Sequence, residues 1–292
     1  MKWEDGRQSS NIEDRRAQKQ SFGTRGGATN ITKLLPIAKM LLGTKIGRII
    51  LVVGVVLYFA FNINPLSLLD NTTSAPQEAV DITKDDRSAR FTSAILAQTE
   101  DAWRELFKSE GMKYSDAKLV LFRGGVDSGC GFASSQVGPF YCPADKKVYL
   151  DLAFFDELSS KYKAPGDLAQ AYVIAHEIGH HVQNLTGVLS KIQHAKSGKP
   201  DKVKNALQVS VELQADCYAG LWAKTANEMF GSLEDGDLDS ALRAANAIGD
   251  DTLQKQHQGY VVPDSFTHGT STQRKDAFMR GFNATSMREC SF

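Results

Sequence analysis

A chain of 292 residues is long enough for one or two domains with a full hydrophobic core. Its 34 basic and 34 acidic residues cancel, which excludes the bulk positive charge that marks a nucleic-acid-binding protein. Four cysteines without a C-x-x-C pair argue against a cysteine-built zinc module.

The neutrality hides an asymmetry. From Met1 to Arg48, ten Lys or Arg residues face four Asp or Glu among glycines and small polar residues. Residues 1–45 therefore read as a basic, irregular segment, in which Ile31 to Leu42 has the composition of a short membrane-surface helix. A nucleic-acid arm is the competing reading, but the next segment explains the charge better. Ile49 to Phe61 is uncharged and apolar, and 46–66 is long enough for one membrane span. Basic residues ahead of a span predict a cytoplasmic N-terminus, with the rest of the chain on the far side. A buried helix or a signal-peptide core is the alternative, but no small-residue cleavage site follows. Residues 67–86, with Pro76 and the polar run Asp70 to Ser74, read as a linker.

The remaining 87–292 is expected to fold as one domain. Phe91, Ile95, Trp103, Leu106 and Phe107 form the apolar face of a helix from Arg87 to Glu110. Lys118 to Phe122 and Lys147 to Leu152 have strand composition, and Phe132 to Val137 between them is a candidate sheet edge. Asp167 is placed to cap a helix through Leu185, with Gly187 as its stop. Further helices are predicted at about Lys202 to Met229, Leu238 to Gly249 and Ser271 to Phe282. The fold class is α+β: helix-rich, with a small sheet beside the helices.

His176-Glu177-Ile178-Gly179-His180 carries the chemistry. Two histidines four apart lie on one helix face and can reach one metal ion, while Glu177 can face its open side and take a proton from water. Gly179 costs roughly 1 kcal/mol against alanine in a helix interior, so a second backbone approaching there is the expected reason for it. The bland alternative is a polar buried helix with two satisfied histidines. A catalytic zinc site needs a third ligand, and Glu212 in the next apolar helix supplies it. Asp216, four residues on, projects from the same face and can orient a ligand histidine. Otherwise both carboxylates face solvent or pair with Lys and Arg.

These motifs resemble the family of bacterial neutral zinc metallopeptidases. The matching stretches are Ala175 to Gln183, Glu212 to Cys217, Ser128 to Gly131, Gly138 to Pro143, and His268 to Ser271 with Gln273 and Arg274. They occur in order over roughly Asp81 to the C-terminus, after a basic start and one apolar segment. The resemblance implies a zincin-like domain, one Zn2+ ion, a protein or peptide substrate and a bacterial envelope setting. The whole chain is thus expected to be a single-pass protein of the bacterial inner membrane, bound to the bilayer by one transmembrane helix, with a periplasmic or extracellular domain and no nucleic-acid partner.

In that reading His176, His180 and Glu212 hold zinc, and Glu177 is the general base of an endopeptidase. His268, opening a Gly- and Thr-rich turn before the last helix, is the candidate for steadying the oxyanion; a loop histidine packed on that helix is the alternative. His181 is expected to be structural or exposed, and His194 and His257 solvated. Of three possible cysteine pairings, Cys130 with Cys142 and Cys217 with Cys290 are preferred, the shorter loop contributing roughly 3 kcal/mol; a free Cys217 is the alternative. The rival functional class is a non-catalytic zinc-containing interaction or scaffold module.

Overall fold

The computed structural model describes residues 1–17 and 82–291. Two buried strands carry the sheet. β2 (Lys118–Phe122) and β6 (Lys147–Asp151) pair in parallel and are buried along four of their five residues. Such two-sided burial suits their Val, Leu and Tyr content. A four-stranded sheet forms in the order β1-β2-β6-β5. β1 (Ile12–Asp14) is parallel to β2, and β5 (Phe140–Cys142) is antiparallel to β6. A separate ribbon pairs β3 (Gly125–Ser128) with β4 (Gly131–Ser134). The expected edge at Phe132 to Val137 is corrected here. Its first half lies in the ribbon, Ser135–Val137 is a 3-10 turn, and β1 and β5 form the sheet's edges.

Eight helices are described: α1 (Ile82–Ser109), α2 (Ala153–Ser160), α3 (Asp167–Leu185), α4 (Val188–Lys196), α5 (Asp201–Phe230), α6 (Asp237–Ala247), α7 (Asp250–Gln258) and α8 (Ser271–Asn283). The predicted α1, α3, α5, α6 and α8 are present with small shifts at their ends. The short α2, α4 and α7 went unpredicted. Asp167 is the first residue of α3 rather than its cap; its carboxylate accepts from the Trp3 indole at 2.9 Å. Gly187 takes a left-handed conformation (φ 77°) just past the end of α3, which only glycine adopts cheaply.

The core lies between the sheet and the helices, around Trp103, Trp222, Tyr172, Phe91 and Phe278. At the crossing of α5 and α8, a Cβ on Gly281 would sit 1.8 Å from the carbonyl oxygen of Cys217, so only glycine permits that approach. Disulfides join Cys130 to Cys142 and Cys217 to Cys290, with Cα separations of 5.8 and 5.5 Å.

The N-terminal residues require a correction. Residues 1–17, though regular only at β1, are built into the domain. Trp3 is buried against Phe91. Arg7, Ser9 and Asn11 all bond the buried Glu100 carboxylate. The backbone of Asn11 and Arg15 bonds that of Leu119 and Leu121. The expected placement, with a cytoplasmic N-terminus and a domain beyond the inner membrane, is therefore overturned. A single crossing between residues 17 and 82 would put β1 and β2 in different compartments, yet they share one sheet. Among the described residues no helix is long and apolar enough to cross a membrane. The expected span at 46–66 and the linker up to residue 81 lie outside the described residues; 82–86 open α1.

Candidate metal centre

Helix α3 presents His176, Glu177 and His180 on adjoining faces, and α5 brings the third group. The two helices touch at Gly179, where a Cβ would lie 3.0 Å from both Cα and the carbonyl oxygen of Ala215. This contact is the close backbone approach that the glycine led us to expect. It carries Glu212 to the histidines. Glu212 Oε2 is 3.2 Å from His176 Nε2 and 3.4 Å from His180 Nε2. One ligand atom from each of the three residues lies within 4.8 Å of the other two.

The outer atoms of the cluster are tied so that the inner ones face one another. His176 Nδ1 faces Asp216 Oδ1 at 2.8 Å. A carboxylate only accepts, so Nδ1 carries a proton, which leaves Nε2 as the ring atom that can be given up to a cation. His180 Nδ1 faces Gln183 Oε1 at 2.9 Å. Gln183 Nε2 donates to the Val211 carbonyl and to Gln214 Oε1, which fixes the amide's orientation. His180 therefore also offers Nε2. Two imidazole nitrogens and one carboxylate oxygen, each oriented by a second hydrogen bond, fit the donor set of a three-ligand catalytic zinc site.

Asp216 is the hub behind His176. It accepts from Tyr172 Oη at 2.5 Å and from Arg274 Nε at 2.8 Å and Nη2 at 2.9 Å. Burial opposes its charge, but Arg274 and His176 outweigh that and pull its pKa down to about 2. Burial likewise opposes charge on His176, and Asp216 with Glu212 outweighs it, holding its pKa up at about 10. Glu212 sits well below the carboxylate range because His180 and His176 overcome its burial. Glu177 moves the other way: burial raises its pKa against the pull of both histidines.

His176, Glu177, His180 and Glu212 line a cleft of about 830 Å³ whose other walls are largely apolar, including Phe140, Phe154, Leu189 and Leu253. Glu177 and His268 both face it. His268 is half exposed, and its Nδ1 lies 3.1 Å from Asp250 Oδ1. Asp250 also accepts the backbone N–H groups of Thr267, His268 and Gly269. His181 points away into the protein, where Nε2 meets the Ser115 carbonyl at 2.7 Å and Nδ1 meets Tyr141 Oη at 3.0 Å. It is structural, one of the two readings the sequence left open. His194 and His257 are exposed.

Sequence reasoning assigned no role to Arg274, Tyr172, Gln183 or Gln208. Arg274 and Gln183 had a signal, since both lie in motifs of the resembling family, but nothing local tied them to Asp216 and His180. The others are neutral residues at ordinary helix positions.

Comparison with known proteins adds the following. Residues 1–292 match the family described as "Putative neutral zinc metallopeptidase". Uncharacterized protein YpfJ of Escherichia coli is 44% identical over 293 residues, covering 100% of this chain and 98% of its own length. Uncharacterized proteins Mb2605 of Mycobacterium bovis and Rv2575 of Mycobacterium tuberculosis are each 40% identical over 211 residues, 69% of this chain and 70% of theirs. No solved structure matches the chain.

Proposed function

Because the chain belongs to the neutral zinc metallopeptidase family, we propose that it hydrolyses peptide bonds of a protein or peptide substrate with one zinc ion held by His176 Nε2, His180 Nε2 and Glu212 Oε2. The convergence of these three donors on the floor of a cleft carries the reading. When bound there, zinc supplies Lewis-acid polarisation of a carbonyl and a water acidified to near neutrality.

The chain supplies the rest. Glu177 adjoins the ligand His176 and faces the cleft, where it takes the proton of the attacking water and returns it to the departing amine. Its burial keeps it a stronger base than an exposed glutamate. Asp216 holds His176 in its Nδ1–H form and offsets the positive charge that gathers around the site. His268 lines the same cleft and is the group we assign to the oxyanion. Asp250 engages its Nδ1–H, so donation from Nε2 requires the ring to be doubly protonated. Edge strand β5 and the apolar walls offer backbone pairing and side-chain burial to an extended peptide.

The test compares purified wild type with Glu177→Gln for zinc content and for cleavage of an unfolded protein. Wild type should bind about one zinc per chain and cleave. Glu177→Gln should keep the zinc and lose activity by on the order of 100-fold or more. Undiminished cleavage by the variant rejects the proposed base, and a wild type that binds no zinc rejects the proposed function.

A further inference from the structure

We infer that Gln208 and Lys196 are positioning residues that make Glu212 a one-oxygen ligand and so keep a coordination position free for the reaction. The inference rests on the zinc-peptidase reading above and deepens it.

A carboxylate has two oxygens, and a ligand glutamate can offer one or both to a cation. If both engage, the second oxygen crowds the open position that hydrolysis needs and raises the coordination number from four to five. In this chain the two oxygens of Glu212 have separate duties. Oε2 faces both histidines. Oε1 accepts a hydrogen bond of 2.7 Å from Gln208 Nε2, one turn earlier on α5.

The hold is only as good as the orientation of the Gln208 amide, and a second residue sets that. Lys196 Nζ, on the last residue of α4, donates to Gln208 Oε1. An ammonium cannot accept a hydrogen bond. Flipping the Gln208 amide would set its NH2 against the lysine and its carbonyl against the Glu212 carboxylate. Both contacts are repulsive, so the amide has one favourable setting. Lys196 and Gln208 also line the cleft. Among the described residues, no donor other than Gln208 reaches Glu212 Oε1.

A bland reading competes: Gln208 merely satisfies a buried carboxylate oxygen. Removing it would then cost stability and leave the metal's coordination alone. The two readings separate on the full-length protein loaded with cobalt(II) in place of zinc, because the visible absorption of cobalt weakens as its coordination number rises above four. Gln208→Leu keeps the side chain's bulk and removes the donor. The expected result is one metal per chain, a weakened cobalt spectrum and peptidase activity lower by about 10- to 100-fold. Lys196→Met, at a partly exposed site where folding is not at risk, should shift the spectrum in the same direction by less. Lys196→Arg restores a donor and should restore the wild-type spectrum. Spectra of Gln208→Leu and Lys196→Met that superimpose on wild type overturn the inference, whatever happens to thermal stability. A wild type that takes up no cobalt or zinc sinks the peptidase reading itself, which is a different failure.

Discussion

His176 and His268 face the same cleft but are held in opposite ways. His176 is buried on a long helix, and the carboxylate behind it is itself gripped by a buried arginine and a buried tyrosine. His268 is half exposed on the loop before α8, with one aspartate and three backbone N–H groups fixing that loop. The difference follows from what each must do. A metal ligand must not move, and its site gains from exclusion of water. A group that meets an incoming substrate must be reachable, and loops on rigid supports provide such access. Damage behind His176 should therefore appear first as lost stability, and damage at His268 as lost rate.

The largest effect is expected from Arg274→Met. The substitution keeps much of the side chain's volume but leaves Asp216 ionised and buried without its principal cation. Breaking such a pair costs about 3–5 kcal/mol. In a domain of this size that lowers the melting temperature by roughly 10 °C. The pH dependence has a definite sign. The folded pKa of Asp216, about 2, lies below its ordinary 3.8. Its contribution to stability is therefore complete above pH 3.8 and disappears as pH falls through 2. Without Arg274 the folded pKa rises, so acid unfolding of the variant should begin at a higher pH than in wild type. Unchanged melting and acid midpoints would show that the guanidinium does not neutralise Asp216.

His268→Ala should do the reverse. The side chain reaches solvent and its loss removes little packing, so zinc content and melting temperature should stay at wild-type values. Loss of one oxyanion donor lowers kcat by on the order of 100-fold. A KM effect with kcat preserved would make His268 a substrate-binding residue instead. A falling melting temperature would return it to the role of a loop brace, the alternative weighed from the sequence.

What was legible beforehand follows the range of each interaction. The i, i+4 spacing acts inside one helix, so the pairs His176 with His180 and Glu212 with Asp216 could be read directly. Helices α3 and α5 followed from their apolar periodicity. The parts that escaped depend on partners distant in sequence. Arg274 bonds Asp216 across 58 residues, and Gln183 reaches back to Val211 across 28. Neither carries a local mark of that contact. β1 is three residues long and shows no alternation, so its parallel pairing with a strand more than a hundred residues away left no pattern. Its basic neighbours instead suggested a leader. The same compositional reasoning favoured a membrane crossing after residue 45, and the shared sheet of β1 and β2 overrules the single-pass arrangement built on it.

The smallest expected effect sharpens the comparison most finely, because it tests how closely α3 and α5 are set. Gly179→Ala removes a helix penalty of about 1 kcal/mol. Against this, the new methyl meets Ala215 at 3.0 Å, and overpacking of a close helix contact costs about 1–3 kcal/mol. The net loss of stability is then at most about 2 kcal/mol. The effect on the metal site should be easier to see. Spreading the helices draws Glu212 away from His180. Zinc affinity, measured by chelator competition, should fall by about tenfold, the scale expected when a ligand's support is disturbed. Activity at saturating zinc should fall much less. A Gly179→Ala protein that gained the full helix stabilisation with unaltered affinity would mean that the two backbones do not press together at this point, and the reason for glycine inside the histidine motif would have to be sought elsewhere.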